Sequence, residues 1–172
     1  MENNELTEAL IKECERIEED CLHSMKGHFN AGSRWNKVHL WMGIPSAVLA
    51  AWAGIEAFND NPSLTATLAL LSAALTATIT FLSPQEVSNN HTKAGKEYNV
   101  VRNKTRRVRG IDALTVSPED LKIRVDELAD KKDSLNSMSP SIPRWAYEKA
   151  KKDIDKGLAD YQVDKEVKSD SK

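Results

Sequence analysis

The chain has 172 residues, 40% of them hydrophobic, and a formal net charge of −2; this is the size of one domain and excludes a protein whose bulk charge selects its partner. Most of the hydrophobicity lies between residues 38 and 83, and the remainder is too charged and too short to wrap two helices that are apolar on every face, which argues against a buried hairpin in a soluble protein. There is no phosphate loop, no standard metal-ligand spacing and no nucleophile beside a histidine and an acid, so an enzyme is the weakest reading and no cofactor is expected.

From the N-terminus, Leu6, Leu10, Cys14, Ile17, Cys21 and Met25 recur every three or four residues and predict an amphipathic helix over about 5–26. Met1 to Asp20 is acidic and amphipathic, so insertion into a membrane is expected to be directed by the first span itself. Residues 1–30 carry eight acids against Lys12, Arg16 and Lys26. Residues 84–110 reverse this, with Lys93, Lys96, Arg102, Lys104, Arg106, Arg107 and Arg109 against Glu86 and Glu97. Pairing between the acidic and basic arms, within one chain or between neighbours, is favoured over a nucleic-acid or lipid footprint, and no DNA partner is expected. Cys14 and Cys21 share a helix face about 10 Å apart, too far for a disulfide within the chain. With His23 and His28 they match no zinc pattern, so no metal is expected.

Gly27 and the stretch Asn30-Ala31-Gly32-Ser33 predict a break, an elbow ahead of the first span, with Trp35 and Trp41 placed as interfacial anchors. Val38 to Phe58 and Leu64 to Leu82 then match the roughly 20 residues needed to cross a bilayer core. The connector Asn59-Asp60-Asn61-Pro62-Ser63 is too short to recross a membrane, so the two spans are expected as an antiparallel hairpin. Lys26, Arg34 and Lys37 precede it, Lys93, Lys96 and Arg102 follow it, and the connector has no base, so both termini are expected to be cytoplasmic.

Gly43, Ala47 and Ala51 repeat every four residues, as do Ala50 and Gly54, which predicts close helix packing against the hairpin partner or a neighbouring subunit; Pro45 is expected to kink the helix. In the second span Thr65, Ser72, Thr76, Thr80 and Ser83 share a face. Two readings stay open: the hydroxyls line a wet path, or they bond back to their own helix carbonyls. Glu56 likewise is either one of a ring of carboxylates at a pore mouth or a side chain reaching the outer headgroups.

After Pro84 a helix is predicted over about 85–109, with Val87, Ala94, Val101 and Val108 at one heptad position and His91, Tyr98 and Thr105 at the other. His91 in this seam, with Tyr98 and Val101, reads as a packed, hydrogen-bonded core histidine rather than a catalyst. Ser117 as N-cap, Pro118 and two acids start a helix over about 118–135, striped by Leu121, Val125, Leu128 and Leu135. Residues 136–142 read as a loop. Pro143 begins a last helix over about 143–161 with Ala146, Ala150, Ile154, Leu158 and Tyr161 on one side, and 164–172 is a charged tail. The fold class is therefore an all-α membrane protein: a transmembrane hairpin with a cytoplasmic N-terminal helix and a C-terminal helical bundle, one domain over 1–163.

In this order of elements, with Trp35 ahead of the first span, His91 and Tyr98 after the second, and Pro143-Arg144-Trp145-Ala146-Tyr147 opening the last helix, the chain resembles the SLATT family over about residues 6–161. These are bacterial two-transmembrane effector domains associated with nucleotide second-messenger synthases or SLOG-type sensors. The resemblance implies an antiphage-defence effector that forms a homo-oligomer in the inner membrane and, when triggered, opens a pore or disrupts the bilayer, causing growth arrest. The trigger is then a separate synthase or sensor partner, or a nucleotide ligand on the cytoplasmic helices. The alternative is a non-conducting membrane adaptor that tethers a separate defence enzyme, for which the spans need only anchor.

Overall fold

A computed structural model describes residues 2–161, apart from the side chains of residues 2 and 3, and the described residues form helices and no strand. The helices are α1 (Glu2–Phe58), α2 (Pro62–Leu82), α3 (Pro84–Gly110), α4 (Pro118–Met138) and α5 (Arg144–Asp155), with a 3-10 turn over Asp112–Leu114 between α3 and α4. The charged tail expected over 164–172 lies outside the described residues.

Local chemistry sets the helix ends. Asn61 caps α2, its Oδ1 accepting the Leu64 N–H at 3.4 Å, with Pro62 in the first turn, where it sacrifices no helical bond. Ser83 adopts a left-handed conformation (φ 43°), donates its N–H to Ile79 and passes the chain to Pro84, which opens α3. Ser117 caps α4 by accepting the Asp120 N–H at 3.1 Å, with Glu119 and Asp120 in the first turn beside the positive end of the helix dipole. The last helix is shorter than the sequence suggests. It ends at Asp155, Gly157 turns with φ 70°, and Leu158 is exposed rather than on a packed face.

The elbow expected at Gly27 and Asn30–Ser33 does not form; α1 is helical through it and through Pro45. The small residues there serve packing. A Cβ on Gly27 would sit 3.0 Å from the Ile142 side chain, Ala31 is fully buried, and the Gly32 carbonyl accepts the Ser88 hydroxyl at 2.8 Å. A glycine inside a helix costs only about 1 kcal/mol relative to alanine and does not by itself break it.

Within the stretch read as one domain, the described residues form two compact units: residues 32–90, and residues 2–31 together with 91–161. In the second of these, the apolar stripe of α1 (Leu10, Cys14, Ile17, Cys21) packs with Tyr98, Val101 and Val108 of α3 and with Leu121, Val125, Leu128 and Leu135 of α4. This is an ordinary aqueous arrangement, apolar inside and charged outside. The unit of residues 32–90 is the reverse. Its enclosed side chains include Ser46, Ser72 and Ser88, while large apolar groups face outward, Phe58 with 92% and Phe81 with 89% of their surface exposed. The most apolar stretches of its helices are long enough to cross a membrane, and only 11% of each is buried, which a soluble core helix would not tolerate.

Candidate functional site

Two polar clusters stand out, one in each unit. In the hairpin unit the facing sides of α1 and α2 meet at small residues, so that the backbones come close enough for direct hydrogen bonds between helices. Ser46 Oγ donates to the Ser72 carbonyl at 3.1 Å and lies 2.8 Å from Thr76 Oγ1, and Ser72 Oγ donates to the Ser46 carbonyl at 2.8 Å. The two serine hydroxyls are themselves 3.2 Å apart. Ser46 and Ser72 are both buried.

This clasp redistributes the hydroxyl stripe. Ser72 and Thr76 serve the contact with α1, Thr80 donates to its own helix at the Thr76 carbonyl (2.9 Å), and Ser83 donates to the Thr80 carbonyl (3.1 Å). Thr67 and Thr78 back-bond in the same way. Thr65 Oγ1 is enclosed without a hydrogen bond among the described residues. Glu56 accepts the Trp52 indole N–H at 3.0 Å, one turn back along α1. The small-residue face of α1 is turned away from α2: Ala47 and Ala51 are exposed, and a Cβ at Gly43 or Gly54 would meet nothing within 4 Å.

In the other unit His91, Tyr98 and Val101 are buried along α3 at the expected seam, together with Ala94, Thr105 and Val108. His91 Nδ1 lies 2.9 Å from Nδ1 of His28 on α1, and both rings are buried. The Tyr98 ring stacks on His28 with centroids 5.5 Å apart, and its hydroxyl donates to Asn136 Oδ1 of α4 at 2.7 Å. Burial, reinforced by His91, pushes His28 down to about 4, and burial also lowers His91. Burial raises the Tyr98 phenol, which stays a proton donor. From sequence His28 is weighed only as a metal ligand, and no metal is expected there; the overlooked signal is its spacing of seven from Cys21, which continues the Cys14–Cys21 face into the seam.

Cys14 and Cys21 are free and buried, raised to about 11 and about 12 chiefly by burial, and so are protonated and unreactive at neutral pH. Among the described residues no three His, Cys, Asp or Glu side chains gather as a metal set. The basic patch of α3 divides by direction. Arg109 pairs with Glu18 of α1, and Arg102 and Arg106 lie over the Tyr161 ring at 5.5 and 4.5 Å. Lys104 and Arg107 line a cavity of about 430 Å³ between α3 and α4, across from Arg124 and Glu127.

Comparison of the chain with protein-family models, with curated proteins and with solved structures returns no match.

Proposed function

We propose that the chain is a non-enzymatic membrane effector of the SLATT kind. Residues 38–58 and 64–82 cross the inner membrane as a hairpin, both termini and the aqueous helical unit stay in the cytoplasm, and copies assemble and breach the bilayer when triggered by a defence synthase or sensor. The observation that carries the membrane part is the inverted burial of the hairpin unit, serines inside and Phe58, Phe81 and Leu70 outside. The bases that flank the hairpin and are missing from its connector support the orientation. The outward small residues Gly43 and Gly54 leave a face on which a second copy can pack, in line with a homo-oligomer.

The tethering role is the second reading, and the serine clasp favours it, because Ser72 is buried against α1 and Thr76, though exposed, is hydrogen-bonded to Ser46 there. Purified protein in dye- and ion-loaded liposomes separates the two. Leakage that scales with protein density supports the effector. Stably inserted protein that leaks nothing, in the presence of lysate from infected cells as well as in its absence, leaves the anchor.

A further inference from the structure

We infer that His28 and His91 form a proton-operated latch between α1 and α3, closed while the pair holds at most one extra proton and released by the second. The inference rests on the contact itself. Two imidazole Nδ1 atoms 2.9 Å apart need one N–H and one lone pair between them. In the neutral pair one ring donates and the other accepts. A first proton adds to the far nitrogen of the donor ring and leaves that hydrogen bond in place, now charge-assisted. A second proton has only the accepting Nδ1 left to occupy. Two N–H groups and two positive charges then face each other, and at least one ring has to leave the contact.

The surroundings give a doubly charged pair no support. Tyr98 on α3 lies against His28, and the titratable groups that act on Tyr98 are Cys21 on α1 and Lys132 on α4; His91 alone acts on His28. Tyr98 and Cys21 are neutral, and Lys132 is a cation engaged with Asp20 and Asp133. The inner side of α5 presents Ala146 and Ala150, which carry no charge. No carboxylate contributes to the shift of either histidine. Tyr98, stacked on His28 and tied to Asn136, keeps the ring from swinging away while the pair is intact.

Because both histidines are lowered in the closed form, that form binds fewer protons than an open one in which they are solvated. Closure is therefore complete above the ordinary histidine value and is lost as pH falls from there toward about 4, the value of His28. His28 alone raises the open-to-closed ratio by about 20-fold between pH 7 and pH 5.

Hydrogen exchange on the full chain in lipid nanodiscs at pH 7 and pH 5, corrected for intrinsic exchange, tests this. Peptides covering residues 24–31 and 91–100 should lose protection by about the 20-fold given by linkage, reversibly, while those covering 121–128 of α4 hold theirs. His28→Asn offers an amide oxygen to the His91 Nδ1 and takes no proton, so it removes the His28 contribution and should keep the two segments largely protected at pH 5; His91→Asn leaves His28 buried, should retain part of the pH-dependent loss, and is read if the first fails to fold. Unchanged wild-type protection at pH 5 overturns the latch. So does loss spread equally over α4, or a His28→Asn variant that opens as the wild type does. The wild-type profile decides by itself if neither variant folds.

Discussion

Arg109 on α3 donates from Nε to Glu18 Oε1 on α1 at 2.7 Å, joining the basic and acidic arms of the chain through their least exposed ion pair. Glu18 is only 15% exposed, whereas Glu15, 3.8 Å from the same guanidinium, is largely in water. The hydrogen bond to Glu18 is the main reason that Arg109 is held even more firmly protonated than usual. Glu18→Gln should therefore lower the stability of the folded chain by about 1 kcal/mol, since partly exposed pairs are worth little more, and Glu15→Gln by about 0.3 or less. Denaturant unfolding in mild detergent measures both. Equal effects for the two variants, or an effect untouched by 1 M salt, would show that the Glu18 contact is not an ion pair of consequence.

Much of the helical unit was legible because its signals are local. The seven-residue spacing of His91, Tyr98 and Thr105 maps directly onto a buried face of α3, and Ser117-Pro118 marks the start of α4. What was hidden depends on partners distant in sequence. Gly27 and Gly32 look like a break because glycine weakens a helix in isolation, and only the approach of Ile142 and the Ser88 hydroxyl shows them as contact positions inside a continuous one. Spacing placed Gly43, Ala47 and Ala51 on one face but could not say which neighbour that face meets. Ser46, a single hydroxyl in an apolar run, gave no periodic signal, although it is the centre of the hairpin contact.

Gly95 shows how closely α1 and α3 approach. A Cβ there would lie 2.8 and 2.9 Å from ring carbons of Phe29 and 3.3 Å from the Met25 carbonyl oxygen. The Phe29 ring is partly exposed and can turn outward, but the Met25 oxygen is backbone and cannot. Gly95→Ala should destabilise by about 1 to 3 kcal/mol, the usual range for overpacking. Gly110→Ala, in open space at the end of the same helix, should be neutral or slightly stabilising. Thermal unfolding of both variants checks the contrast, and Phe29→Ala combined with Gly95→Ala should recover part of the loss. A Gly95 variant as stable as wild type would mean that the helices can separate there at no cost.

The Ser46–Ser72–Thr76 clasp makes the sharpest distinction between a wet path and a packed hairpin. If Ser72 and Thr76 face water, Ser72→Ala with Thr76→Val makes that path apolar and stops ion flux without affecting how the two helices hold together. In the geometry found, the same pair of changes removes the Ser72 hydroxyl donated to the Ser46 carbonyl and the Thr76 hydroxyl in contact with Ser46 Oγ. Interhelical hydrogen bonds in membranes are worth about 0.6 to 2 kcal/mol, so the double variant should loosen the hairpin by an amount in that range. Ser46→Ala should produce a similar loss. Adding it to the double variant should cost a further amount, because Ser46 Oγ still donates to the Ser72 backbone carbonyl, but the total should stay below the sum of the separate losses because the hydroxyls belong to one network. Thr80→Val serves as the control, since its hydroxyl bonds only to the carbonyl one turn back. The unfolding free energy of the full chain in lipid, measured alongside flux through the same samples, decides between the two. Lost flux at unchanged stability returns Ser72 and Thr76 to the wall of a conduit. Lost stability shared with Ser46→Ala assigns them to the hairpin contact, and any conduit must then be lined by other faces of the spans.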